Sequence, residues 1–326
     1  MIFPLIAAAW MIGFLFFFFS CSIEDPNIPR TALWSMMADE VLGLNDVPPE
    51  SPHTAPASGI PFLPQRLPFF ACAALILALA AVYGDAICQL TLRRCHLLRT
   101  EQIVICLGSG LGVLSVVTLC CGLAGQLNKT AILIPALASF TVSCGLRWKS
   151  RNETPVQLTV VPGKQQSTSV IRILVLLVVA PFTIYLLSGA ISPPMDFDVR
   201  EYHLQGPKEW FSQGQITFLP HNVYTSFPFL TEMLSLTGMI FIGDWWRGAL
   251  VGQIVLATFQ VLSALSVFSI ARRWFCTDVA WLAVLIYLTT PWTLRISLIA
   301  YAEGSLAFYL ISSTMCALLV PLVPAR

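Results

Sequence analysis

The segment SPPMDFDVREYHLQGPKEWFSQGQITFLPHN gathers side chains that can move a proton or hold an anion: Asp196, Asp198, Glu201, Glu209, Arg200 and Lys208, with two of the chain's four histidines, His203 and His221. A carboxylate held at a lipid–water boundary is partly desolvated and can act as a general base, while nearby cations can hold a phosphate. Pro193 and Pro194 stop whatever helix precedes them. Asp196 or Asp198 can then cap a new helix running to about Phe211, with an acid suited to its positive end. On that helix Asp198 and Tyr202 share a face, as do Glu201 and Lys208 two turns apart, and Gly214 ends it. The plainer reading is an amphipathic helix lying on a membrane, its charges only keeping it wet. The aromatic residues Phe197, Tyr202, Trp210, Phe211, Phe218 and Tyr224 would seat such a helix at headgroup level.

A second cluster lies in TTPWTLRISLIAYAEGSLAFY, where Glu303 opens an apolar helix with Tyr301 beside it and Arg295 on the approach. Glu303 could simply favour the positive end of its helix, and Arg295 could snorkel to headgroups. A carboxylate at the edge of a membrane span is nevertheless costly enough to suggest function. Asp85 is expected to reach the inner surface, and Asp244 and Arg247, flanking Trp245 and Trp246, to anchor at an interface.

The elements that position these residues follow from composition. Among 326 residues, 56% are hydrophobic and 11% charged. The mean hydropathy is +0.77. A soluble domain carries about 25% charged residues, so the solvent of this chain is largely lipid. A net charge of +1 provides no footprint for nucleic acid. The ten cysteines lie mostly in apolar runs and show neither a CxxC pair nor zinc-ligand spacing. The expected fold is all-α, a polytopic transmembrane helical bundle of about eight spans. The spans are 2–20, 69–90, 101–125, 130–147, 170–192, 247–271, 276–292 and 303–324. The first is read as an uncleaved helix rather than a signal peptide, because it lacks a basic leading region.

Charge asymmetry sets the topology. Arg93, Arg94 and Arg99 on one loop, and Arg147, Lys149, Arg151, Lys164 and Arg172 on another, belong inside. The acidic, proline-rich loop 21–68 and the loop 193–228 then lie outside. Arg272 and Arg273 are expected inside, so the span before them must start outside. The apolar but short segment 229–243, which contains Glu232, then does not cross and is expected as a re-entrant or interfacial helix on the external side. Two regions result: 1–168, with about four spans, and 169–326, which holds both chemical clusters.

The run FDVREYHLQGPKEWFSQGQITFLPHN resembles the first external loop of the multi-spanning C-type glycosyltransferases, in the class of protein O-mannosyltransferases and aminoarabinose transferases. The similarity rests on Asp198 after Phe197, then Tyr202, His203 and Leu204, then Lys208 and Gly214. The later PFLTEML, FIGDWWRGALVG, ARRWF, TTPW and YAEGSLAFY stretches are similar to that family's second region, with Glu303 matching its second external acid. The resemblance covers about residues 170–326. It implies a lipid-linked sugar donor, a polyprenyl phosphate, met at the outer headgroup level among membrane lipids, and transfer to a hydroxyl acceptor. Asp198 would be the base, with Asp196 and Glu201 as substitutes. His203, Lys208, Arg200 and His221, with Tyr202, would contact phosphate or acceptor, and Glu303 with Tyr301 would complete the pocket. Family members usually carry further helices after the second acid, so an incomplete chain, or a partner chain supplying those helices, is expected. Whether a divalent metal assists is left open. A transporter, or a non-catalytic membrane scaffold, is the competing reading: the first calls for polar, broken helices at the bilayer midplane, the second for indifference to loss of Asp198.

Overall fold

The computed structural model describes residues 2–21, 62–92, 95–149, 156–157, 169–194 and 196–322. Most of the proline-rich loop before residue 62, and Arg93, Arg94, Arg151, Lys164 and Arg326, lie outside them. The chain divides into two compact units, Met1–Pro68 and Phe69–Arg326. The first contains α1 (Ile2–Ser20), whose sequence carries no charge. Leu5, Ile12, Phe16 and Phe17 are all exposed on it, and Trp10 stacks on Phe14 at 5.4 Å.

The second unit is built from helices, as expected. After α2 (Phe62–Thr91), whose first residues belong to the other unit, come α3 (Arg99–Leu123), α4 (Lys129–Lys149), α5 (Ser169–Ala190) and α6 (Gln205–Gln213). Then follow α7 (Glu232–Ile242), α8 (Trp245–Trp274), α9 (Thr277–Thr289), α10 (Pro291–Leu298) and α11 (Glu303–Leu319). The only strands among the described residues are Cys95–His96 and Val156–Gln157, a two-residue parallel pair that ties the α2–α3 loop to the α4–α5 loop. Among the described residues five helices are long and apolar enough to cross a membrane, or six if the bent pair α9 and α10 is one span. The apolar stretch Ala8–Phe17 of α1 and the helix α11 are shorter.

The core is organised around α8, against which α3, α5, α7, α9 and α11 all pack. Glycine explains the closest of these contacts. A Cβ on Gly248 would lie 2.2 Å from the Met239 Cα, and one on Gly252 would lie 2.5 Å from the Ser235 Oγ. The α7–α8 hairpin therefore closes backbone to backbone. With 11 residues, α7 spans about 16 Å, well short of a bilayer. Residues 232–240 are all buried, so protein lies against this stretch on every side. Asp244, expected as an interfacial anchor, caps α8 by accepting from the Arg247 amide at 2.7 Å.

Helix ends expected on one side of a membrane do lie together. At one end, Arg273 of α8 forms a buried, two-pronged pair with Glu101 of α3, and Ser269 donates to Thr100 at 2.7 Å. At the other end, Gln253 of α8 donates to the carbonyls of Gly189 and Ser192 after α5, both at 3.0 Å. There too the Ile216 amide donates to the Gly122 carbonyl at 2.9 Å, joining the end of α3 to the loop after α6. The span expected over 276–292 is broken rather than continuous. The chain bends by 62° between α9 and α10, because Thr290 precedes Pro291 and takes an extended conformation (φ −68°, ψ 117°).

Candidate functional site

The loop after α5 re-forms a helix by an irregular route. Residues 199–203 make a π-turn, in which the Leu204 amide donates to the Val199 carbonyl at 2.9 Å. Such turns insert one residue into a helix and recur at functional sites. Of the two acids expected to cap this helix, Asp196 holds the position before its first residue, Phe197, with its carboxylate turned to Tyr301 and Arg295, and the expectation for Asp198 is corrected. Asp198 already has helical angles (φ −63°, ψ −37°) and its side chain caps nothing, while the Asp196 carbonyl accepts from the Arg200 amide at 3.3 Å. Gly214 does end α6, in the left-handed region at φ 73°. The Trp210 indole donates to the Thr217 carbonyl at 2.9 Å and meets Phe229 edge-on at 5.6 Å, fixing α6 to the bundle.

One face of this segment converges on α7 and α11. His203 is buried, and its Nδ1 lies 2.6 Å from the Glu232 Oε1 at the start of α7. The Tyr301 ring lies 5.2 Å from the imidazole and the Tyr202 ring 4.3 Å from it. Tyr301 donates its hydroxyl to Asp196, across 105 residues of sequence, and the Arg295 guanidinium donates to the same carboxylate at 3.3 Å. Beside them Thr231 and Ser305 share a hydrogen bond of 2.6 Å, tying α11 to the foot of α7. Partial burial, and then the hydrogen bond to Asp196, push the Tyr301 phenol well above its ordinary value. Partial burial, and then the fields of Asp198, Glu303 and Glu232, raise Tyr202. Carboxylates from three elements thus act on one phenol.

The acids are not equivalent there. Asp196 is engaged by Tyr301 and Arg295, and Glu232 by His203. Asp198 and Glu303 are exposed, and neither accepts a hydrogen bond from any described residue. Comparison with protein-family models, curated proteins and solved structures returned no match.

The opposite face of the segment carries the cations. Arg200, Glu201 and Lys208 line a cavity of about 620 Å³ together with Phe197, Trp245 and Trp246. The Lys208 ammonium sits 4.3 Å above the Trp245 ring, where the ring's quadrupole attracts it. Glu209 takes hydrogen bonds from Gln205 at 2.7 Å and from His221 at 3.1 Å. Burial would raise its carboxyl, but the bonds from His221 and Gln205 outweigh that and hold it below the usual range.

Asp196, Asp198, Tyr202, His203, Tyr301 and Glu303 therefore come together, Arg200, Glu201 and Lys208 form a separate face, and His221 pairs elsewhere. His203, expected to touch phosphate or acceptor, is turned inward onto Glu232. Sequence reasoning named Glu232 without giving it a role, although a lone carboxylate inside an apolar stretch is itself a signal. Among the described residues no three His, Cys, Asp or Glu side chains are grouped as metal ligands.

Proposed function

We propose that this chain is a membrane glycosyltransferase that moves a sugar from a polyprenyl-phosphate donor to a hydroxyl acceptor at the external membrane face. What supports the reading is that two exposed acids from distant parts of the sequence, Asp198 and Glu303, both act on the Tyr202 phenol, beside the Asp196–Tyr301 bond that ties the two segments together. In this mechanism the acceptor oxygen attacks the anomeric carbon, its proton passes to Asp198, and the bond from that carbon to the phosphate oxygen breaks. The lipid phosphate leaves, and a single displacement inverts the anomeric centre. Asp196 serves as a positioning residue, holding Tyr301 and Arg295 at the rim. Glu303 orients the acceptor hydroxyl. The cavity beside Arg200 and Lys208 receives the charged head of the donor, since a guanidinium and an ammonium suit a phosphate. The helices span the bilayer about eight times, with this end of the bundle outside.

The test is sugar transfer by the full chain in liposomes containing a polyprenyl-phosphate sugar and a hydroxyl acceptor. Asp198→Asn is expected to lower the rate by about 10²–10⁴-fold, with Glu303→Gln raising the acceptor KM. Retention of full activity by Asp198→Asn would sink the proposal, as would labelling of a cysteine at position 198 from the cytoplasmic side. A transporter draws some support from a line of buried polar residues on α8, Gln253, Gln260, Ser263, Ser266 and Ser269. Most of their hydrogen bonds run to neighbouring backbone or helices, however, and the cavity beside them is walled mainly by Phe182, Leu186, Phe268, Trp281 and Leu294.

A further inference from the structure

A second cavity lies at the end of the bundle opposite the acid cluster. It measures about 720 Å³ and sits between α2, α3 and α4. Its polar wall is built from a fixed ion pair. Asp85 accepts from Arg147, from Ser143 and, at 3.4 Å, from Gln89. Arg147 keeps 60% of its side-chain surface exposed while so engaged. Arg99, at the first position of α3, also lines the cavity and is exposed. The positive end of the α3 dipole lies at the same place. Among the described residues lining the cavity, one carboxylate, Asp85, accompanies two guanidiniums, Arg99 and Arg147, beside a helix N-terminus and a space wide enough for a ligand. The remaining wall is apolar, with Leu92, Leu97, Ile103 and Leu107.

We infer that this cavity binds a phosphate ester, its anion between Arg99 and Arg147 and its apolar part against the leucine wall. Basic pockets between membrane helices on the cytoplasmic side take lipid headgroups in this way. Asp85 holds Arg147 in place. It also offers a carboxylate to an ammonium, so a zwitterionic headgroup is accommodated as well as an anionic one. The inference is independent of the chemistry proposed at the other end.

Three thiols, Cys88, Cys95 and Cys106, line the same cavity and report its occupancy. The full chain, purified and delipidated in detergent, is alkylated with a maleimide and each cysteine followed by peptide mass spectrometry. Phosphatidylglycerol or phosphatidylethanolamine is expected to slow alkylation of these three about tenfold, leaving Cys120 and Cys144 unchanged. Arg99→Glu, which reverses one charge, is expected to weaken that protection by about tenfold or more. Diacylglycerol, which lacks the phosphate, should not protect. A soluble arm uses glycerol 3-phosphate: protection by phospholipid alone assigns the ligand to the bilayer, and protection by both assigns it to phosphate esters generally. Equal protection by diacylglycerol, or none by any phosphate, overturns the inference. The unmodified protein decides between these outcomes if the Arg99 variant does not fold.

Discussion

The Glu101–Arg273 pair makes a demanding test of how the bundle closes. Both side chains are almost sealed, at 1% and 2% exposure, and Glu101 also accepts from the Leu98 amide at 2.8 Å. Replacing Glu101 by Gln leaves a guanidinium buried with its charge uncompensated, which costs about 3–5 kcal/mol. For a bundle of this size that corresponds to a fall of roughly 10 °C in unfolding temperature. Arg273→Met strands the carboxylate and should cost a similar amount. The double variant Glu101→Leu with Arg273→Met removes both charges and fills the space, so it should recover most of the loss. Thermal unfolding of the four detergent-purified proteins, followed by tryptophan fluorescence, reads the cycle. A Glu101→Gln variant within about 1 kcal/mol of the parent, or a double variant no better than either single one, would mean that the pair is solvated. The packing of α3 against the end of α8 would then be wrong.

Two glycines and the Tyr301 phenol provide three more tests. Gly248→Ala places a methyl group against the Met239 backbone and should destabilise the protein by about 1–3 kcal/mol. Gly145→Ala meets nothing within 4 Å and should be neutral or stabilising in the same thermal assay. The raised Tyr301 phenol has a defined sign: its stabilising bond to Asp196 is complete below the ordinary tyrosine value of 10.0. That contribution is lost as pH rises through the higher folded value. Unfolding titrated upward from pH 9 should show a loss that Tyr301→Phe lessens, since Tyr202 is raised too, and an identical profile for the two proteins would refute the bond.

What the sequence revealed was local. Pro193-Pro194 and Gly214 bound their helices because proline lacks a donor and glycine tolerates positive φ, properties of single residues. Arginine placement constrains which helix ends coincide, and on that ground alone the sequence leads to one side for Asp198 and Glu303. The His203–Glu232 and Glu101–Arg273 pairs join residues far apart in the chain, and no periodicity reports such a meeting. The π-turn escaped because its extra residue leaves no compositional trace. The bend at Thr290 was within reach, as Pro291 restricts the residue before it, yet the apolar pattern runs straight through.

The π-turn also fixes a count. Relative to α6 it adds one residue of winding, about 100° of rotation, to everything before it. If one residue between 199 and 203 were lost and the turn healed to an ordinary α-helix, Asp198 would inherit the sealed direction of Val199. Asp196 would swing to the outward direction of Phe197, away from Tyr301. A gap of a single position, trivial in an alignment, would thus rewire the acids while leaving every one of them in the sequence, and relatives that align here with such a gap should not be assumed to share this site.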